Sequence, residues 1–466
     1  LFIAAASTLV MTAKVADATI GVSGDAPKVG RVDLSAYANA DIDTEAFAVS
    51  AGVTLPFAFA AAGTSAKSVV SGSVEATVRE SDVYASGAVD VTANHTTDLD
   101  ATTDSFSIAS TASVGLSFAK AATSSTVAAK VVGASTVNAR SVSVKASRTS
   151  TNDATATAAS GGLVGSGAGA ETTAKAVGSL TAKVAGSVLN ADDDVDVKAV
   201  GDDTANADST GVSAAAGVAV GVAKATAKVA PDVTSSLVGG SSVDAGSLTV
   251  KAKETATADA VGESAAGALG GSGAGSEVTA KALSDVDAKV AGRADVTANG
   301  AAQVLAVSDA DADARSFGAS VAGGVTVGVA LGTAKIAPTV DATVDGSSPT
   351  AGSITVRAKG LQNADADGTA AAGALIGSGA GAEITAVTDS DTQVTVNGAT
   401  LDARGTLTLA SVGETKADAF AEGISVGGGV GIGASKAVAK DTGATKLEVS
   451  GVADLDAGTA DLVARH

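Results

Sequence analysis

Chemistry in this 466-residue chain has to be built from carboxylates, because little else is on offer. There is no cysteine, so thiol chemistry, disulfides and Cys-based zinc sites are excluded. The two histidines, His95 and His466, stand apart, and no Ser/His/Asp set can be assembled around either. His95 sits in the polar run VTANHTTDLD and reads as structural. GSGAG recurs at Gly165, Gly271 and Gly377. It lacks the following helix and the Gly-Lys-Ser/Thr end of a phosphate loop, so it reads as close packing or a bend. Aspartates, by contrast, recur near Asp100, Asp153, Asp208, Asp259, Asp311, Asp365 and Asp418, mostly with Ala on both sides. In a strand that pattern points Ala inward and Asp outward. Stacked in parallel, such residues form a carboxylate ladder with ~4.8 Å steps, whose repulsion a cation relieves. The expected metal ligands are Asp259, Asp311, Asp365 and Asp418, with Asp192-Asp193-Asp194-Asp196 and Asp309-Asp311-Asp313 as alternatives. No EF-hand loop or GGxGxDxUx repeat is present. Weak Ca2+ binding is therefore the only cofactor expected, against the plainer reading of an acidic face that keeps the chain soluble.

A second column mixes signs. Lys14, Lys67, Lys120, Glu171, Lys224, Glu277, Leu331, Glu383 and Lys436 follow one another at 51 to 54 residues. From Lys120 to Glu277 the sign alternates, as neighbours in a parallel stack would. Lys120, Glu171, Lys224, Glu277, Glu383 and Lys436 are thus expected to form a structural charge ladder.

The elements that carry these columns are repeats. GGLVGSGAGAETTAKA from Gly161 returns as AGALGGSGAGSEVTAKA from Ala266 and AGALIGSGAGAEITA from Ala372. Related segments lie between them, so a 106-residue period is a pair of units of about 53. Residues 1–466 read as one uncapped array, the middle of a longer chain, since repeat arrays need polar caps. Within each unit apolar residues alternate strictly, as from Ala274 to Val290, which means strands. A unit reads as a long strand, a turn at Ala185-Gly186-Ser187, a short strand Val188–Ala191, an Asp192–Asp194 corner and a long return. The expected fold is all-β, a β-solenoid of about nine 53-residue coils, with a stacked antiparallel meander or sandwich as the alternative.

Composition limits the rest. Aromatic residues are 2 % of the chain and Gly numbers 56, so only a thin core can be filled. Phe57, Phe59, Phe106 and Phe118 are expected to fill local core. A net charge of −20 argues against nucleic acid and anionic membranes as partners. A mean hydropathy of +0.33 argues against disorder. No apolar run is long enough to span a bilayer.

The segments VNARSVSVKA, VDAGSLTVKA and LDARGTLTLA resemble coil motifs of large filamentous-haemagglutinin-like bacterial adhesins. Their alternation with Ala/Gly-rich long strands is most similar to the giant leukotoxin-type filamentous adhesins. The resemblance covers the whole chain as repeats. It implies secretion or surface display, a β-solenoid shaft and a scaffolding or adhesive role. The family's secretion domain and anchor are not visible in this sequence. The expected function is a non-catalytic structural part of an extracellular bacterial fibre or surface filament. It would join end to end with further copies or continue within its parent chain. An adhesin shaft contacting host, matrix or neighbouring cells is the alternative.

Overall fold

In the computed structural model, residues 1–22, 29–53 and 57–466 are described. They form nine coils of a parallel β-solenoid, at 2–52, 59–109, 112–162, 165–215, 218–268, 271–322, 325–374, 377–427 and 430–465. Every strand pairing among them is parallel, which excludes the antiparallel meander. Each coil climbs one strand in a 13-stranded sheet A, turns, and returns in a 14-stranded sheet B. A tip turn then leads into the next coil. Among the described residues no helix is long and apolar enough to cross a membrane.

Coil 4 shows why the chain folds this way. Strand Gly165–Ala185 alternates small inward residues with outward polar or glycine residues. It ends at Gly186, whose φ of 58° lies in the left-handed region that favours glycine. The same turn position is Gly239, Gly292, Gly346, Gly398 and Gly451 in later coils. Val188–Ala191 follows, then a corner, then the return Asp194–Ala215. The long strands run to 21 and 22 residues and stay flat enough to stack because the next coil repeats them in register.

Partners one coil apart are separated by 53 residues at Phe59–Ala112 and Glu171–Lys224. The first coil differs. Its separation is 63 at Phe2–Ser65 and Thr19–Asp82, then 57 at Val32–Val89. Six extra residues therefore lie between Ile20 and Val32, and four between Gly52 and Phe59.

Two interior clusters meet at a waist. One, beside the corner, is rich in Val and Leu, including Val131, Leu180, Leu189, Val197, Leu237 and Leu248. The other, towards the tip, is nearly all Ala from both sheets, such as Ala174, Ala207, Ala258 and Ala312. The waist falls where sheet A carries the column Gly72, Ser125, Gly178, Pro231. Gly178 has φ 127°, and a Cβ there would lie 2.0 Å from the Ser125 carbonyl oxygen. From coil 6 onward the sheet A strand is interrupted at this level, as Gly271–Ala282 and Asp285–Ala291. The alternation read as one strand from Ala274 to Val290 thus spans a break at Leu283-Ser284.

The four phenylalanines do not fill the core. Phe57 and Phe59 are each 74 % exposed, and Phe106 and Phe118 also face solvent. Their places in the alternation are outward ones, and the adjoining inward positions are Ala and Ser.

Candidate functional site

The outward aspartates of sheet B do stack, in a register that sequence spacing only partly anticipates. The true column is Asp43, Asp100, Asp153, Asn206, Asp259, Asp313, Asp365, Asp418. Asp259, Asp365 and Asp418 hold their expected places. Asp311 does not: it stacks between Thr257 and Asn363, two residues along the strand. Asp208 is likewise off the column, which passes through Asn206. The cause at coil 6 is a bulge. Ser242 pairs 53 residues ahead with Asp295, but Leu248 pairs 54 ahead with Ala302. Counting by 53 from Asp259 lands next to the wrong aspartate.

The ladder relieves its repulsion by several means. Asn206 Nδ2 donates to Asp153 Oδ1 at 2.7 Å. Arg315 donates to Asp313 on the same strand, and Lys416 pairs with Asp418 at 2.5 Å. Burial among the stacked neighbours pushes the carboxyls of Asp153 and Asp259 up. Asp313 is pushed up to about 6, first by burial, with Arg315 opposing and Asp259, Asp365 and Asp311 adding to it. Each rung presents one carboxylate, whereas calcium takes six to eight oxygens. Among the described residues no three metal-ligating side chains converge.

On sheet A the mixed-sign column is Phe118, Glu171, Lys224, Glu277, Leu331, Glu383, Lys436. Lys436 Nζ donates to Glu383 Oε1 at 2.6 Å. Lys120 lies outside this column and stacks on Thr173, because it stands 51 residues before Glu171 and the coil is 53 long. Lys14 pairs with Thr77, displaced by the longer first coil. Two neighbouring columns keep the same spacing of 52 to 54 residues. Thr173, Thr226, Thr279, Thr333 and Thr385 form one, and Lys175, Lys228, Lys281 and Lys335 the other.

The waist holds a sealed charge cluster. His95, Arg148, Gly201 and Glu254 occupy one inward column of sheet B. Arg148 and Asp203 are both fully enclosed. Arg148 Nε donates to Asp203 Oδ1 at 3.0 Å, a second N–H donates to the other carboxylate oxygen, and Nη1 reaches the Val177 carbonyl at 3.3 Å. Glycine at 201 makes room for the next rung, since a Cβ there would lie 1.9 Å from Glu254 Oε2. Burial, and then Asp203, push the Glu254 carboxyl well up, with Arg148 opposing. Burial, and then Arg148, press His95 down to about 4, so its imidazole is neutral. A forked guanidinium–carboxylate pair, with His95 and Glu254 stacked beside it, thus links four adjoining coils. All four side chains are enclosed, so none meets a substrate.

No protein-family model, no curated protein and no solved structure matches this chain.

Proposed function

We propose that this chain is a structural, non-catalytic segment of an extracellular bacterial fibre or surface filament. The observation that carries the reading is the parallel stack of nine coils of like cross-section. Among the described residues, strand Phe2–Ala16 at one end, and Val430–Asp441 and Asp454–Arg465 at the other, each pair on one side only. Their free edges present unpaired backbone N–H and C=O groups, a template for the next strand. Eight steps of ~4.8 Å make the array ~38 Å long, and each added coil extends it without changing its cross-section. Continuation in the parent chain, or docking of a second copy end to end, satisfies those edges. The adhesin-like coil motifs support a bacterial, surface-exposed setting.

Cryo-electron microscopy of the purified chain tests this. Fibres with an axial advance of ~4.8 Å per 53-residue coil are expected. Single particles about nine coils long, still monomeric by sedimentation at high concentration, would overturn end-to-end assembly.

A further inference from the structure

We propose that copies of this chain also stack side by side, the outer face of sheet A of one copy lying against the outer face of sheet B of the next. This lateral contact does not depend on end-to-end growth. The first observation is a corrugation with a two-coil period. One outward rung of sheet A reads Val114, Gly167, Val220, Gly273, Val327, Gly379, Ile432 along the stack. Valine ridges thus stand ~9.6 Å apart with glycine furrows between them. The ridges are open to solvent, Val220 at 45 % and Ile432 at 65 %. Sheet B carries the same alternation at its tip end, as Ile108, Gly161, Ala214, Gly267, Val321, Gly373 and Val426.

Nothing inside one copy calls for those glycines. A Cβ on Gly167, Gly267, Gly373 or Gly379 would meet no atom within 4 Å, and none of the four has a positive φ. Glycine weakens a strand interior, and an unforced one marks where another backbone comes close. A furrow one strand wide accepts a ridge from a facing sheet.

Charge selects which faces meet. The strands of sheet A hold 15 Lys/Arg and 12 Asp/Glu, whereas those of sheet B hold 11 and 32. The two faces of one copy are therefore opposite in sign. The columns also match in depth. Lys281, in the lysine column, is ten residues from Gly271, where its strand leaves the tip. Asp259, in the aspartate column, is nine residues from Ala268, where its strand reaches the tip. With tips level, the Lys175–Lys335 column of one copy faces the aspartate column of the next. Among the described residues none of these four lysines has an ion pair within its own chain. Pairing sheet A with sheet A would instead set lysine columns against each other.

The area suffices. Eleven residues of strand by eight coils is roughly 36 by 38 Å, about 1,400 Å² per face, against about 800 Å² per partner in a standard interface. A head-to-tail contact of this kind is open-ended and yields stacks, not closed dimers.

Two full-length variants test it. Gly167→Val/Gly273→Val/Gly379→Val fills the furrows of sheet A, and Asp259→Lys/Asp313→Lys/Asp365→Lys reverses the ladder of sheet B. Sedimentation velocity and negative-stain widths are the readouts, with melting curves to confirm folding. The wild type is expected to widen in steps of about 20 Å, two sheet spacings. Each variant alone should stay one copy wide, its lateral affinity at least about thirtyfold weaker. Mixed, they should form side-by-side pairs and nothing wider, because each keeps the face the other has lost. A wild type that never widens, a folded single-face variant that still does, or a mixture that fails to pair each overturns the proposal. If a variant does not fold, Lys228→Glu/Lys281→Glu replaces the sheet A block and is read the same way.

Discussion

Replacing Arg148 by Met should loosen the middle of the array, whereas replacing Glu254 by Gln should scarcely matter. Arg148 neutralises a fully enclosed Asp203 through two N–H donors. Breaking a buried pair from one side costs about 3–5 kcal/mol, because the remaining charge stays in the interior unpaired. Burial and Asp203 push the Glu254 carboxyl well up, towards the uncharged form that an amide mimics, so Glu254→Gln should change the energy by about 1 kcal/mol or less. Removing both members of the pair, as Arg148→Met/Asp203→Leu, should recover most of the loss, since an apolar pair of similar volume is often as stable. A long repeat array unfolds in segments, so a single melting temperature is the wrong probe. Native-state hydrogen exchange at pH 6, read on the strands Ser141–Gly162, Asp194–Ala215 and Ser247–Ala268, follows the coils concerned. A loss of 3 kcal/mol is about a 150-fold faster exchange. Exchange within tenfold of wild type in Arg148→Met would refute the reasoning. So would a Glu254→Gln variant as damaged as Arg148→Met, because Glu254 would then be an ionised partner of the guanidinium.

Further outcomes follow from the same geometry. His95 has a folded pKa of about 4 against 6.5 when free, so the unfolded chain binds the extra proton between those values. Stability around coils 2 and 3 should therefore fall by up to ~3 kcal/mol as pH drops from 6.5 to 4, and His95→Leu should flatten that slope. Asp313 and Asp341, both pushed up to about 6, act in the opposite sense, their coils gaining stability as pH falls from 6 towards 3.8. Exchange measured coil by coil should show the two slopes with opposite signs. Gly178→Ala should cost at least about 2 kcal/mol, since its Cβ would run into the Ser125 carbonyl at a positive φ. Gly275→Val, with open space around its Cβ, should leave urea unfolding of an isolated copy unchanged or shifted to higher concentration. If the aspartate column holds Ca2+ weakly, melting curves in millimolar Ca2+ should lie above those in EDTA; superimposed curves would leave the column an acidic face alone.

The acidic column illustrates where counting along the chain stops working. Spacing identified Asp259, Asp365 and Asp418 because the return strands there differ by the length of one coil, give or take a residue. It misplaced Asp311 because one inserted residue at Asn299-Gly300 shifts the rest of that return strand, and a strand carrying both Asp311 and Asp313 on one face has no internal sign of which meets Asp259. The buried cluster is legible by parity. Arg148 shares the even positions of Val142, Val144 and Ala146, and Asp203 the odd positions of Val195, Val197 and Ala199, all of them inward.

The sequence by itself determined the repeat, its length, the strand alternation and hence an all-β array whose small side chains permit only a thin core. Those properties are local or periodic, and period two admits no other regular structure. Only the tertiary structure decided that the strands stack in parallel, which aspartate meets which, and that the lysines and aspartates run as opposed columns on two faces. It also turned the 106-residue period into ridges and furrows. These depend on the position of each turn, because one extra residue in a corner shifts by one residue which positions meet in the neighbouring coil while leaving the alternation along its own strand unchanged.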